Sequence, residues 1–149
     1  MAGKTDVFEL DTLKLIFNGT AIANIADNAA ASPLTDLYLS LHTADPTDAA
    51  ASGQSTNETT YTGYARVAVA RTSGGWTCST TGGVSTAVPT ANISFGQCTA
   101  GTATITHVGI GTSASGVGKL LFSGALSPAI AVSSGVVPQI TPASTITED

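Results

Sequence analysis

Charged residues are scarce in this chain. They make up 10% of its 149 residues, whereas a typical soluble domain has roughly 25%. The formal net charge is −5, and the five basic residues are spread along the sequence. So few basic residues form no patch that could follow a phosphate backbone, which argues against nucleic-acid binding. The polar surface must instead be built from serine, threonine, asparagine and glycine.

Cysteines and long apolar runs are also few. Cys78 and Cys98 make no disulfide framework for a chain of this length, and without a C-x-x-C motif a structural zinc site has no support. Whether the two cysteines pair stays open, although free cysteines that behave as small buried hydrophobic residues are favoured. No apolar run approaches the roughly 18 residues of a membrane span, and residues 1–6 lack the apolar core of a secretory signal. We therefore expect no membrane partner and synthesis in a cytoplasm.

Hydrophobic residues are present in an ordinary amount. They make up 42% of the chain, and together with the length this predicts a single domain over residues 1–149 with a real core. The low charge has two open interpretations. A weakly charged surface favours association with other protein chains; an extracellular or engineered β domain with a threonine-rich surface is the alternative.

The first 30 residues are predicted to form an N-terminal helical segment. Leu10, Leu13 and Phe17 recur near the helical period of 3.6 residues within residues 7–27. Asn18 and Gly19 are a natural helix stop, because either residue tolerates a left-handed conformation.

Alternation with a period of two, typical of β-strands, dominates the rest of the sequence. In the clearest strand, Leu37, Leu39 and Leu41 are expected to face the core, and the opposite face, with Ser40 and His42, is expected to be half-polar. Further strands are predicted at residues 62–71, 76–78, 84–88, 92–95, 102–110, 119–123, 129–133 and 136–140. A polar loop over residues 47–60 joins the first two. The spacing predicts a mainly β fold, an antiparallel β-sandwich or jelly roll with a short N-terminal helix.

No motif indicates an enzyme. The sequence has no G-x-S-x-G elbow, and the glycines between Gly109 and Gly118 only superficially resemble a phosphate loop, because Val117 stands where that motif requires lysine. We interpret this stretch as a turn. Polysaccharide hydrolysis would need a convergent pair of carboxylates, which the dispersed acids do not suggest. We therefore expect no catalytic residue and no cofactor.

Few titratable residues are candidates for a metal site, and none is predicted to form one. His42 and His107 are interpreted as polar strand residues or as hydrogen-bonded histidines at an interface. Asp45, Asp48 and Glu58 bracket the long polar loop, and a hard cation there is a less favoured alternative.

Three large side chains are interpreted as structural. Trp76 is expected to anchor the core or an interface. Arg66 and Arg71 are expected either to pair with acids of a neighbouring chain or to face water.

Two pairs of segments carry a resemblance to known proteins. The first pair is LYLSLHTADP at residues 37–46 with YTGYARVAV at residues 61–69, and the second is ATITHVGIGT at residues 103–112 with GKLLFSGAL at residues 118–126. Together they resemble a family of small tailed-bacteriophage virion proteins, often labelled phage tail fibre proteins. The resemblance covers roughly residues 10–149 and contains no catalytic motif.

The resemblance implies a structural protein of the virion. Because the family is similar to small β-sandwich capsid cement proteins, the first hypothesis is a decoration protein on the capsid exterior. Such a protein would bind the major capsid protein, bridge capsid subunits and associate with itself as a dimer or trimer. The alternative is a tail fibre or baseplate component that takes part in host attachment.

Overall fold

The fold is mainly β, with one short helix. The computed structural model describes residues 6–21, 33–47 and 53–148. In these residues the elements are α1 (Asp6–Asn18), β1 (Asp36–His42), β2 (Val67–Ala70), β3 (Trp76–Thr81), β4 (Val84–Pro89), β5 (Ile93–Ser94), β6 (Ala103–Gly111), β7 (Leu120–Val132), β8 (Gln139–Ile140) and β9 (Ile146–Glu148). The sheets are antiparallel, so the predicted class, a mainly β chain with a short N-terminal helix, is confirmed.

Contacts within the chain divide it into two compact units. The first unit takes its described residues from those before Asp36, from Ala70–Asn92 and from those after Ile140. The second takes them from Asp36–Val69 and Ile93–Ile140. The single domain over residues 1–149 stays a prediction. The predicted helical segment at residues 1–30 is described only for residues 6–21, and its remaining residues lie outside the described part.

The first unit packs α1 against the sheet β3-β4-β9. The helix ends at Asn18, and Gly19 follows with a φ of 64°, so the predicted stop is confirmed. Leu13 and Phe17 are fully buried, and the Phe17 ring lies 4.7 Å from that of Trp76. Trp76, itself 1% exposed, therefore anchors the core of this unit, the first of its two predicted roles.

Arg71 holds the C-terminal end of α1. Its guanidinium donates to the carbonyl oxygens of Ile16 (2.7 Å), Leu15 (2.9 Å) and Leu34 (2.7 Å). The last carbonyls of a helix have no partner within it and carry partial negative charge, so a cation stabilises them. Neither expected role of Arg71, a partner acid or open water, describes this position.

The second unit is built largely on the four-stranded sheet β2-β1-β6-β7. Pairing aligns Leu39 with Ile110 and His42 with His107. The predicted core positions Leu37, Leu39 and Leu41 are buried as expected, and the opposite face of β1 carries the polar residues Ser40 and His42. Ser40 and His42 on that face are also 0% exposed, because the segment after residue 53 covers them through contacts described below.

Two strands differ in length from the prediction. β2 begins only at Val67, because residues 61–64 form a turn in which the Tyr64 N–H donates to the Tyr61 carbonyl and Gly63 has a φ of 100°. β7 is one continuous strand where two were predicted. Its pairing with β6 shifts between Ala125, opposite His107, and Ile130, opposite Ile105, so residues 126–129 bulge at the place where the sequence suggested a break.

Candidate functional site

A buried ion pair lies at the centre of the second unit's polar residues. Arg66 binds Glu58 through two parallel hydrogen bonds, from Nε to Oε1 and from Nη2 to Oε2, each 2.7 Å long. The Tyr64 hydroxyl donates to Glu58 Oε1 at 2.6 Å and accepts from the Leu41 N–H at 3.1 Å. The bidentate, charge-assisted bonds between Arg66 and Glu58 are of a kind that is among the strongest that side chains make. We refer to Gln54, Glu58, Tyr64 and Arg66 as the Arg66 cluster.

Every N–H of the Arg66 side chain has an acceptor. In addition to Glu58, Nη1 donates to the Ser113 carbonyl (2.9 Å) and Gln54 Oε1 (3.4 Å), and Nη2 donates to the Gly116 carbonyl (2.7 Å). The side chain is 2% exposed. Arg66 therefore ties residues 54–58 to the loop between β6 and β7, and it neither faces water nor waits for an acid of another chain.

At neutral pH Arg66 stays charged and Tyr64 stays neutral. Hydrogen bonding to Glu58 is the main reason why the pKa of Arg66 is raised above its usual value. Burial, followed by the hydrogen bond to Glu58, raises the pKa of Tyr64 above its usual value. The phenol therefore stays protonated and remains a donor to the carboxylate.

Gln54 connects the cluster to the sheet. It is 0% exposed, its Nε2 donates to the Tyr38 carbonyl at 2.8 Å, and its Oε1 accepts from the Ser113 N–H at 3.0 Å. The amide packs directly on Gly111, where a Cβ atom would overlap the Gln54 side chain. In the stretch that superficially resembles a phosphate loop, this glycine therefore makes room for a neighbouring side chain. The Thr112 N–H donates to the Lys119 carbonyl across the loop. The interpretation as a turn therefore holds for the residues after Gly111, whereas Gly109 and Gly111 belong to β6.

His42 is a buried, hydrogen-bonded histidine. Its Nδ1 lies 2.8 Å from the Thr56 carbonyl, which can only accept, so Nδ1 carries the proton and Nε2 accepts from the Ser40 hydroxyl at 2.9 Å. Gly109 leaves the space for this pair, because a Cβ atom there would lie 2.7 Å from both Nε2 and Ser40 Oγ. Burial lowers the pKa of His42 below the usual 6.5.

Lowering the pH below 6.5 is expected to destabilise the protein through His42. In the unfolded chain the histidine protonates near 6.5, whereas the folded state resists protonation, so the unfolded state binds more protons between the two pKa values. The contribution of His42 to the free energy of unfolding is complete above pH 6.5. It is lost as the pH falls toward the pKa of His42 in the folded state, by up to about 1.4 kcal/mol per pH unit. Urea unfolding at several pH values measures the slope.

The His42→Gln variant tests the origin of that slope. His107, on the paired position of β6, and Arg66 lower the pKa of His42, while Glu58 raises it, so the matched control is His107→Gln. We expect the slope below 6.5 to disappear in His42→Gln and to persist in His107→Gln. A slope retained in His42→Gln would assign the pH dependence to other groups.

An open cleft of about 500 Å³ lies beside the Arg66 cluster. Its lining comes from the segment before β2 and from the loop between β6 and β7, and consists of Ser55, Glu58, Thr59, Thr60, Tyr61, Tyr64, Ala65, Arg66, Ala114, Ser115 and Gly116. The cleft thus lies entirely within the second unit. The ion pair forms part of its wall, and small hydroxyl and methyl groups form much of the rest.

The structure does not bring the considered cation ligands together. Asp45 Oδ1 accepts from the Thr47 N–H at 2.8 Å in a local turn, Glu58 is engaged by Arg66 and Tyr64, and Asp48 lies outside the described residues. His107 Nδ1 lies 2.9 Å from the hydroxyl of its neighbour Thr106. Within residues 6–21, 33–47 and 53–148, no group of three or more histidine, cysteine, aspartate or glutamate side chains is placed to hold a metal ion.

The two cysteines are free thiols in the structure. Cys98 is fully buried, and its Sγ lies 3.4 Å from the Ala100 carbonyl, whereas Cys78 is half-buried. Burial raises the pKa of the Cys78 thiol.

The fold is mainly β, and the ion pair of the Arg66 cluster joins residues 54–58 to the loop between β6 and β7. The chain belongs to the family described as podophage GP4 fiber I protein gp80, whose model matches residues 6–147. It is therefore a structural protein of the phage virion, as the sequence resemblance predicted. Among curated proteins, none matches the chain. No helix in the described residues has the length and apolar character needed to cross a membrane.

Proposed function

We propose that this protein is a non-enzymatic structural subunit of a fibre on a podophage particle. The observation that carries the proposal is the family match, which covers nearly the whole chain and whose description names a fibre protein. That description supports the second of the two roles expected from the sequence, the tail fibre or baseplate role with a part in host attachment. Decoration of the capsid exterior through the major capsid protein is the competing hypothesis.

The geometry of the Arg66 cluster supports a structural role. All five N–H groups of Arg66 and both oxygens of Glu58 are bound within the chain. Acid–base catalysis needs a group that is free to exchange a proton with a substrate, and a fully engaged pair is not free in this sense. The same bonds hold the loop at residues 113–116 to residues 54–58, which suits a protein that must present rigid surfaces.

The outer edge of the four-stranded sheet supports association between copies. β7 is the terminal strand of that sheet among the described residues and contains no charged residue over Leu120–Val132. An uncharged strand at the edge of a sheet can pair with another strand, except where a bulge or a proline interrupts it, as at residues 126–129 of β7. We therefore propose that copies associate through this edge, as dimers or trimers, with the cyclic symmetry usual for such assemblies.

Locating the protein on intact particles tests the fibre role. Gold-labelled antibodies against the chain, viewed by electron microscopy, are expected to mark fibres, and quantitative mass spectrometry is expected to give few copies per particle relative to the major capsid protein. Antibodies against the major capsid protein are the control for labelling of the shell. Labelling spread over the shell, at copy numbers comparable with the capsid protein, would overturn the proposal in favour of capsid decoration.

A further inference from the structure

We infer that the open cleft beside the Arg66 cluster, between residues 55–66 and residues 114–116, binds a neutral saccharide. The inference deepens the proposed fibre role and rests on it for the biological setting of the ligand. The chemistry of the cleft itself depends only on the residues that line it.

The charge state of the cleft points to a neutral ligand. Arg66 and Glu58 are the charged residues of the lining, and they neutralise each other through two bonds of 2.7 Å. The remaining Arg66 donors are taken by the carbonyls of Ser113 and Gly116 and by Gln54. An anionic or cationic ligand would have to break this pair, at the cost of leaving a buried charge unpaired. A ligand without charge meets no such cost.

The remaining lining groups match the surface of a sugar ring. Ser55, Thr60 and Ser115 are exposed residues whose hydroxyls can both donate and accept, as sugar hydroxyls do. Tyr64 contributes a half-buried aromatic ring, which lies edge to face at 5.5 Å with the ring of the buried Tyr61. Small-ligand sites usually combine an apolar wall with a few polar groups and measure about 300–1,000 Å³. The cleft, at about 500 Å³, lies within this range.

Thr59 adds an independent observation. It lines the cleft, is 3% exposed, and its Oγ1 has no hydrogen-bond partner among the described residues. A buried hydroxyl without a partner is unfavourable, and such groups frequently mark places where a ligand or water supplies the bond. Because this oxygen has almost no accessible surface in the structure, a saccharide hydroxyl that binds it has to displace a lining side chain.

Titration of the full-length, ¹⁵N-labelled protein tests the inference. The probes are D-glucose, D-galactose, N-acetyl-D-glucosamine and the neutral polymer dextran, with D-glucuronic acid as the charged comparison. We expect a neutral probe to shift the amide resonances of residues 55–60 and 114–116, and glucuronic acid to shift them at least tenfold less at equal concentration. If dextran binds more tightly per sugar unit than glucose, the ligand is a surface polysaccharide. If the two affinities per sugar unit are equal, the ligand is a free sugar.

A variant that fills the cleft provides the matched comparison. Ser115→Trp places a large ring at the cleft, and Ser134→Trp makes the same change at an exposed serine outside it. Binding is expected to be lost in Ser115→Trp and retained in Ser134→Trp, with unchanged thermal unfolding in both. Absence of shifts for every neutral probe, or equal binding by both variants, would overturn the inference. Because the titration uses isolated protein, such a result is distinct from a failure of the fibre role, which only the location on particles decides.

Discussion

Replacing Arg66 with alanine is expected to lower the free energy of unfolding by about 3–5 kcal/mol. The change leaves the Glu58 carboxylate, whose side chain is only 15% exposed, without its cation, and it removes the donors that satisfy the carbonyls of Ser113 and Gly116. A buried ion pair adds modest net stability. When one partner is removed, the other charge stays buried without a counter-charge, and its desolvation is no longer compensated. Urea unfolding monitored by circular dichroism measures the loss.

Two further variants separate charge from geometry at this position. Arg66→Lys keeps the positive charge but has three donors and no planar fork, so we expect it to recover only part of the loss. The double variant Glu58→Gln with Arg66→Met removes both charges and is expected to be more stable than Arg66→Ala, because no lone charge stays buried. A loss of less than about 1 kcal/mol in Arg66→Ala would be the size measured for exposed ion pairs. It would show that Arg66 does not hold the two loops together.

Local patterns in the sequence predicted the elements that depend on neighbouring residues. The end of α1 at Asn18 follows from the conformational freedom of Gly19, and the alternation of Leu37, Leu39 and Leu41 determines the buried face of β1. A single hydrophobic period does not reveal what covers the opposite face. The alternation therefore predicts a half-polar face with Ser40 and His42 but not that both residues are fully buried.

The Arg66 cluster could not be predicted in the same way. The alternation at residues 62–71 indicated a strand and placed Arg66 on a face that water or another chain would meet. In the structure two of the acceptors of Arg66, the carbonyls of Ser113 and Gly116, lie 47 and 50 residues away in sequence, and no local pattern connects them to Arg66. Gln54 lies in a polar loop, and nothing in its neighbourhood distinguishes it from exposed loop residues.

One sequence signal for the buried polar layer was present. Gly109 and Gly111 alternate inside an otherwise β-branched strand, and glycine within a strand often marks a close approach of another group. On the sequence alone, Gly109 is placed at the end of a strand and Gly111 in a turn, and neither glycine is given a packing role. Their spacing of two residues in fact puts both on the face of β6 that contacts the buried polar side chains, with Gly109 against His42 and Gly111 against Gln54.

Replacing Gly111 with valine is expected to lower the free energy of unfolding by at least about 3 kcal/mol. The added side chain would overlap that of Gln54, which is 0% exposed. Displacing Gln54 breaks its hydrogen bonds to the Tyr38 carbonyl and the Ser113 N–H, so unpaired buried groups add to the cost of overpacking. Urea unfolding measures the total, and hydrogen exchange at residues 112–116 reports whether the loop detaches.

The same substitution at Gly124 is the matched control. Gly124 lies on the adjacent strand β7, a Cβ atom there meets nothing within 4 Å, and valine favours extended backbone, so the change is expected to be neutral or slightly stabilising. In the double variant Gly111→Val with Gln54→Ala the overlap is relieved, and its effect should be smaller than the sum of the two single effects, because the two residues are in contact. Additive losses, or equal effects at Gly111 and Gly124, would show that close packing of Gln54 on Gly111 does not hold the loop.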